Sequence, residues 1–379
     1  MVPFRKAHTL CATEQFEIVR EGRFIVVELR TEHKVLSTSY CNGGQVRGVG
    51  YLVNHQSCEG TAHHHRHDLI RRLNQEGYHL QVCQEMGLDP GKVALMGTAA
   101  NMNYAACVAR RDEDLSVTAV VTAGTQGNAA CAGNPAQWRE TEFGWQQISP
   151  VEGTINMILL FNVPLTDAAV ARAVVTMTEA KTAALYQLAV PSLYSEDLAT
   201  GTGTDQYCIA CPVDESRRAL TSTSPHVKLG ELIGRAVLEA TKEALRWQNG
   251  LEPSYTRSLF HALGRFGLRE ERFWEEIGHL LSSQDLELLR KNSKSVFYEP
   301  LVAAGAYAYA AVLDRVRYGT LSESLSREML RQQAATIACG LAAKPDRWPE
   351  YRGQLQLNSN GPVSLVIRAI AMGWSTKWS

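Results

Sequence analysis

Residues 199–205, ATGTGTD, combine two glycines and three threonines with the carboxylate of Asp205. Glycine permits positive φ angles and a close backbone approach, so that successive N–H groups can converge on an anion, and the threonine hydroxyls add donors. The residues that would contact such a ligand are Gly201, Thr202, Gly203 and Thr204. The loop is not a dinucleotide fingerprint, because Gln206 stands where a third glycine is needed. The pattern leaves open whether the loop holds a ligand or only forms a turn.

Lys181 lies on the apolar face of a helix predicted over residues 167–188. At about 100° per residue, that face is shared by Val170, Val174, Met177, Leu185 and Leu188. A lysine in this position either extends its ammonium group to solvent or has a buried partner. With a partner, Lys181 would orient a carboxylate or polarise an amide carbonyl. Glu179, two positions earlier, points to another side of the helix and cannot be that partner within the helix.

His226 follows Ser224-Pro225, a pair typical of a helix start, with serine as the N-cap and proline in the first turn. The helix dipole would then disfavour the imidazolium form and leave a neutral ring able to act as a general base. On a helical wheel, His226 falls toward the face of Leu229 and Ile233. The alternative is a core histidine with one hydrogen-bonded nitrogen.

Three short apolar strands, predicted at Val93–Met96, Val117–Thr122 and Ile155–Asn162, are each followed by small residues with threonine or asparagine. We therefore expect one sheet whose loops gather at a single edge. The residues there that suit an amide-rich ligand lie in three segments, 42–44, 98–101 and 122–124, and include Asn42, Gly43, Gly44, Asn101 and Thr122. Each alone could be turn chemistry.

No metal site is expected. The string HHHRHD (63–68) lacks the HExxH arrangement and is more typical of a surface that binds metal adventitiously. Cys208 and Cys211, three apart on a strand, should point to opposite faces of the sheet. The nine cysteines are odd in number and irregularly spaced, which favours reduced thiols in a cytoplasmic protein.

The chain reads as two domains. Residues 1–250 predict an α/β or α+β domain, with a central sheet and flanking helices, a hairpin at Phe16–Leu29 and helices at Asp68–Met86 and 224–248. Residues 251–379 predict a mainly helical extension of unknown role, in which a turn at 358–362 separates two strand-like runs.

Composition excludes several function classes. The net charge is −1, which gives no electrostatic reason to bind nucleic acid or an anionic membrane. The longest nearly apolar run, Leu301–Leu313, is too short to cross a bilayer and predicts a buried helix. A homo-oligomer remains open.

A set of strings resembles the adenosylcobinamide amidohydrolase family over roughly residues 15–248. In chain order they are CNGG (41–44), GTAANM (97–102), VVTAG (120–124), GTINMILLFNVPLTD (153–167), TEAKTAAL (178–185), ATGTGTD (199–205) and HVKLGELIGRAV (226–237). The resemblance implies an enzyme of cobamide salvage. It would hydrolyse the aminopropanol amide of adenosylcobinamide and release adenosylcobyric acid and 1-amino-2-propanol.

Within that reaction we expect Asp205 or His226 to activate water and Lys181 to supply positive charge or the leaving-group proton. N–H groups of residues 201–204 would hold the oxyanion. The corrin side amides would meet Asn42, Asn101 and Asn156. Because no DxHxxG string is present, the corrinoid is expected to be the substrate, and no cofactor is expected.

Two alternatives stay open. Thr154 follows Gly153 just before a strand, a junction at which some amidohydrolases free an N-terminal threonine by self-cleavage. A corrinoid carrier without catalysis, using the helical extension to dock a partner, is the rival from another class.

Overall fold

The computed structural model describes residues 7–58, 63–142, 144–147, 153–357 and 360–378. The chain divides into two compact units. Residues 1–194 and 198–251 form the first, and residues 195–197 and 252–379 form the second. The first unit contains the β-sheets and the second is mostly helical, so the predicted α/β class with a helical C-terminal region is confirmed.

The first unit contains a five-stranded sheet in the order β1-β2-β3-β6-β7. Its strands are β1 (His8–Ala12), β2 (Phe16–Glu21), β3 (Phe24–Leu29), β6 (Tyr51–Gln56) and β7 (Val93–Thr98). Strands β2 and β3 form the hairpin predicted at Phe16–Leu29, while β7 is parallel to β6.

A six-stranded sheet has the order β5-β4-β15-β13-β9-β8. Its strands are β4 (His33–Ser37), β5 (Gly44–Val46), β8 (Ala106–Asp112), β9 (Leu115–Ala123), β13 (Ile155–Phe161) and β15 (Gln206–Pro212). Strand β13 runs antiparallel to β9 and parallel to β15. Two short pairs join β10 (Ala129–Ala130) to β14 (Gly201–Thr202), and β11 (Trp138–Thr141) to β12 (Gly144–Gln147).

The two sheets pack face to face between helices, giving four layers. The helices are α1 (His63–Met86), α2 (Asp167–Gln187) and α3 (Lys228–Asn249). One apolar cluster fills the space between the sheets, a second lies between the six-stranded sheet and α2 and α3, and a third joins α1 to the five-stranded sheet. Every residue of β13 is buried, as expected for a strand covered on both faces.

The alternation of side chains along β15 decides where its two cysteines point. Cys208 packs in the cluster between the sheets, whereas Cys211 packs in the cluster under the helices. The prediction that these thiols face opposite sides is therefore confirmed. Among the described residues, every cysteine is free of a disulfide.

The three predicted strand-and-loop units do not share one sheet. Strand β7 belongs to the five-stranded sheet, whereas β9 and β13 belong to the six-stranded sheet. Because β9 and β13 are antiparallel, Ile155 at the start of β13 pairs with Ala123 at the end of β9. The expected gathering of three loops after strands is thus wrong for β13, whose start, and not its end, lies beside the loop that follows β9.

The helix predicted from Ser224 begins four residues later, at Lys228. Thr223 is fixed to α2, since its hydroxyl donates to the Ala169 carbonyl at 2.7 Å and its carbonyl accepts from the Thr176 hydroxyl at 2.9 Å. The Ser224 carbonyl then packs directly over Gly230, where any Cβ would overlap it. This tertiary anchoring overrides the local Ser-Pro signal. The helix ends as predicted, before Gly250 in the left-handed conformation.

The second unit contains nine α-helices within the described residues. They are α4 (Pro253–Thr256), α5 (Leu259–Leu263), α6 (Glu270–Gly278), α7 (Ser283–Lys291), α8 (Ser293–Phe297), α9 (Pro300–Arg317), α10 (Glu323–Ala342), α11 (Trp348–Gln354) and α12 (Pro362–Ser375). The run Leu301–Leu313 lies in α9, so the predicted helix is confirmed. Gly305 packs on Ile337 of α10, which brings these two helices close together.

The strand-like runs predicted on either side of residues 358–362 are wrong. They fall in α11 and α12 and the segment between them, and α12 begins with Pro362 in its first turn, where a missing N–H costs nothing. Its β-branched residues are buried on almost all sides in the core of this unit. A helix covered all round lacks the periodicity that would have distinguished it from a strand. In the described residues, no helix is long and apolar enough to cross a membrane.

His33 gives the first unit a pH-dependent element. The ring is 1% exposed, Nδ1 donates to the Thr31 carbonyl at 2.8 Å, and Nε2 has no partner among the described residues. Protonation would bury an unpaired N–H and a charge, so burial lowers the pKa of His33 from 6.5. The unfolded chain therefore takes up a proton that the native state resists, and stability falls as the pH falls below that value.

We predict that His33→Gln flattens the fall in the free energy of unfolding between about pH 7 and about pH 5. Urea denaturation followed by circular dichroism at several pH values measures the slope. His8→Gln, at an exposed ring, is the matched control and should leave the slope unchanged. Equal slopes for His33→Gln and the unsubstituted protein would contradict the assignment.

Candidate functional site

Three chain segments converge at one end of the six-stranded sheet. Strands β13 and β15 begin side by side, with Asn156 paired to Gln206, and the end of β9 pairs with Ile155. The Gly/Thr loop 199–205 precedes β15 directly. Polar side chains from these segments therefore meet where the strands meet, at the edge called here the Thr154 edge (residues 123–128, 153–155 and 200–205).

The central interaction of the Thr154 edge is an ion pair between Lys181 of α2 and Asp205. The Lys181 ammonium bonds to Asp205 Oδ2, and only 8% and 16% of the two side chains are exposed. The predicted partner of the lysine thus exists and comes from the Gly/Thr loop, which decides between the two alternatives for Lys181. Gly201 lies against both charged groups, and any side chain there would collide with them.

The remaining oxygen of Asp205 is fully engaged. Asp205 Oδ1 accepts from the Ile155 N–H at 3.1 Å, from the Thr202 N–H at 3.1 Å and from the Thr202 hydroxyl at 2.5 Å. Both oxygens of the carboxylate are thus already bonded, Oδ1 by three donors and Oδ2 by the Lys181 ammonium. The expected role of Asp205 in activating water does not fit this occupancy. Asp205 instead holds the Lys181 ammonium in place and ties the loop to β13.

Two backbone N–H groups of the Gly/Thr loop donate hydrogen bonds within the loop itself. Thr202 donates to Asp205, and Thr204 N–H lies 3.4 Å from the Thr202 hydroxyl. The expected oxyanion role of N–H groups at residues 201–204 is therefore not available to these two. Gly203 is exposed, and its Cα side faces Asn128, whose Oδ1 would lie 3.2 Å from an added Cβ.

A carbonyl held by two side-chain donors lies at the start of β13. The Gly153 oxygen accepts from Asn128 Nδ2 at 3.0 Å and from the Thr204 hydroxyl at 2.8 Å. The next residue, Thr154, donates its hydroxyl to the Thr204 carbonyl at 2.6 Å. Sequence reasoning missed Asn128. Its one signal was a position in the small-residue loop after β9.

Asn156 and Thr122, expected to bind substrate, are buried between the two sheets. Asn156 donates to Asn54 Oδ1 at 2.8 Å and to the Gly97 carbonyl at 3.2 Å, while Asn54 donates to the Thr122 hydroxyl at 2.8 Å. Asn156 is 0% and Thr122 1% exposed. Direct contact with a ligand is therefore excluded in this conformation, and the three side chains join the sheets below the Thr154 edge.

The structure gives local structural roles to Asn42, to Gly43 and to Asn101. The side-chain amide of Asn42 donates hydrogen bonds to the carbonyls of Pro90 and Val93, at 2.9 and 2.8 Å. Gly43 packs against the Ser39 carbonyl so closely that no side chain fits. Asn101 accepts from the Asn103 N–H at 2.9 Å as the cap of a short turn. These contacts favour the turn interpretation that the sequence had left open.

His226 does not belong to the Thr154 edge. It lies exposed in the turn before α3, so the helical position and the inward orientation predicted for it are wrong. Lys228, two residues later, pairs with Asp112 at 3.8 Å, near the start of β9, whereas Ile155 pairs with the far end of that strand. The nine residues of β9 span roughly 25 Å at about 3.3 Å per residue. His226 therefore cannot act beside Asp205.

The possible metal ligands give no site in the described part of the chain. No group of three histidine, cysteine or acidic side chains is arranged to hold a metal among the residues searched. The side chains of the HHHRHD string (63–68) lie outside the described residues. The expectation that no metal takes part stays a prediction.

The family that the chain resembles was identified by comparison with known proteins, and the family match covers the first unit. A family model described as adenosylcobinamide amidohydrolase matches residues 9–253. An uncharacterized protein of Methanocaldococcus jannaschii is 34% identical over 257 residues, which cover 65% of this chain and 95% of that protein. A solved structure of a protein from Pyrococcus horikoshii is 13% identical, covers 63% of this chain and 82% of its own, and has a TM-score of 0.29.

We predict that Lys181→Met and Asp205→Asn each lower the free energy of unfolding by about 3–5 kcal/mol, because each change leaves a buried polar partner uncompensated. The double variant should lose less than the sum, since no unpaired charge remains. Urea denaturation of the four proteins measures this coupling. Additive losses would show that the two side chains do not depend on each other.

Proposed function

The chain belongs to the adenosylcobinamide amidohydrolase family, and we propose that it hydrolyses the amide joining the cobyric acid part of adenosylcobinamide to its aminopropanol arm. The products are adenosylcobyric acid and 1-amino-2-propanol. The reaction places the protein in the salvage of incomplete corrinoids, with the corrinoid as substrate.

The observation that carries the proposal is the extent of the family match. Residues 9–253 span the described four-layer unit almost completely, including Lys181, Asp205 and the start of β13. An amidohydrolase needs a nucleophile, donors for the oxyanion and a proton for the leaving amine. The Thr154 edge is where donors, hydroxyls and a buried ammonium group come together in this unit.

Lys181 is the group best suited to act on the scissile amide. Its ammonium is a strong donor held by Asp205 in a mostly buried position, where a charge interacts more strongly than in water. It would stabilise negative charge on the carbonyl oxygen or protonate the departing aminopropanol nitrogen. Gly203 and Thr204, which precede its partner Asp205 in the sequence, are exposed, so substrate would reach this part of the edge from solvent.

We predict that Lys181→Met lowers kcat/KM for adenosylcobinamide at least about a hundredfold, because one oxyanion or acid contribution is worth that much. The measurement incubates the purified full chain with adenosylcobinamide and quantifies released 1-amino-2-propanol and adenosylcobyric acid by mass spectrometry. A folded variant, verified by circular dichroism, is required for the comparison.

A matched control exists at the other end of α2. Lys34 also forms an ion pair with an aspartate, Asp167 at 2.5 Å, and is 12% exposed. Lys34→Met should retain activity within a fewfold. Equal activity of Lys181→Met and Lys34→Met would contradict the role of Lys181. Corrinoid binding without any release of aminopropanol would favour the carrier function and overturn the proposal.

A further inference from the structure

The carbonyl of Gly153 has an environment that suits a tetrahedral oxyanion. Two neutral side-chain donors, Asn128 Nδ2 and the Thr204 hydroxyl, point at its oxygen from 3.0 and 2.8 Å. Asn128 is fully buried and accepts at Oδ1 from the Tyr194 hydroxyl at 3.1 Å, which fixes the direction of its amide. Donors held in place before the charge develops are the main device by which enzymes stabilise acyl-transfer transition states.

The backbone at Gly153 holds the carbonyl against these donors. Its φ is +117°, in a region that disfavours every residue with a side chain, and an added Cβ would lie 2.8 Å from the Gly124 oxygen. A residue with a side chain would be strained in this conformation and would also collide with the Gly124 carbonyl, so the position requires glycine. Local backbone conformations of this kind are retained where the surrounding structure imposes them.

The hydroxyl of Thr154 adjoins the same carbonyl through the shared peptide bond. It is 6% exposed, donates to the Thr204 carbonyl at 2.6 Å and lies 3.4 Å from Asn156 Oδ1. Both of these oxygen atoms are hydrogen-bond acceptors for the Thr154 hydroxyl proton. A threonine Oγ1 reaches the carbonyl carbon of the preceding residue through a five-membered ring, by rotation about its own Cα–Cβ bond.

We propose that the chain cleaves its own Gly153–Thr154 peptide bond and thereby frees Thr154 as an N-terminal nucleophile. Thr154 Oγ1 adds to the Gly153 carbonyl carbon, and the oxyanion forms between Asn128 and Thr204. The C–N bond breaks, the hydroxyl proton ends on the Thr154 nitrogen, and an ester joins Gly153 to Oγ1. Water then hydrolyses the ester to a Gly153 carboxylic acid and a free Thr154 hydroxyl.

The cleavage would give the proposed amide hydrolysis its nucleophile, and this part of the inference rests on the proposed function. The α-amine of Thr154 can accept the proton of its own hydroxyl and activate it, a known form of nucleophile activation. Once Gly153 has left, Asn128 and Thr204 are released to hold the oxyanion of the corrinoid amide. The adjacent residue Ile155 remains bonded to Asp205 at 3.1 Å, so the Lys181 pair stays attached to the new chain end.

The test is the intact mass of the purified chain under denaturing conditions, with N-terminal sequencing of each species. We expect two fragments, one ending at Gly153 and one beginning at Thr154, in place of the full-length chain. Thr154→Ala should remain full length, Thr154→Ser should cleave, and Asn128→Ala should slow cleavage at least about tenfold. Hydroxylamine added during maturation should leave a hydroxamate on Gly153 by trapping the ester.

Thr125 provides a matched control, because it also follows a glycine, is similarly buried and bonds to Asn249 at 3.3 Å. Thr125→Ala should cleave as the unsubstituted chain does, and no fragment should begin at Thr125. A full-length chain that hydrolyses adenosylcobinamide would overturn self-cleavage and leave the proposed function standing. Cleavage that persists in folded Thr154→Ala would overturn it as well, since a contaminating protease would then be the cause.

Discussion

The arrangement of the Thr154 edge depends on the buried ion pair between Lys181 and Asp205. Removing two charges from water costs several kcal/mol, and the cost is offset only if every remaining lone pair and proton is satisfied. Here the carboxylate collects two further N–H groups and a hydroxyl, one of them from the backbone of β13. The pair therefore positions three elements at once: α2, the Gly/Thr loop and the start of β13. Gly201 is the residue that makes room for it.

A second polar layer fixes the two sheets relative to each other. Asn54, Thr122 and Asn156 form a hydrogen-bonded set between the two sheets, beside the apolar cluster that fills most of this space. Because a buried amide without a partner costs about 1–3 kcal/mol, a shift of either sheet by one residue would break the set and be disfavoured. The layer lies directly below Thr154, whose hydroxyl is 3.4 Å from Asn156 Oδ1. The same side chains that set the packing of the sheets thus support the residues above them.

Local sequence signals predicted most of the helices and strands but few of the tertiary contacts between them. The hairpin at Phe16–Leu29, the helix that carries Lys181 and the strand that follows the Gly/Thr loop are local signals of the sequence and were confirmed. His226 was misplaced because anchoring of Thr223 to α2, a contact 47 residues apart, overrode a good local helix start. Asn128 could not be singled out, since its role arises from a positive φ at Gly153 and from Thr204, both distant in the chain. In α12, burial on almost all sides removed the periodic pattern that distinguishes a helix from a strand.

The placement of the Gly153 carbonyl also bears on what the Gly/Thr loop is for. Asp205 takes the Thr202 N–H and hydroxyl, and Thr204 N–H points to Thr202, so the loop backbone is largely satisfied from within. The Thr204 hydroxyl, by contrast, points outward to Gly153 and is also 3.3 Å from Asn128 Nδ2. In the proposed self-cleavage, the Gly/Thr loop presents the Thr204 hydroxyl to the Gly153 carbonyl, while hydrogen bonds of the loop backbone hold that donor in place. The chemistry that we propose for the edge therefore depends on hydroxyl, amide and ammonium groups, and the loop glycines permit the close approach that brings these groups together.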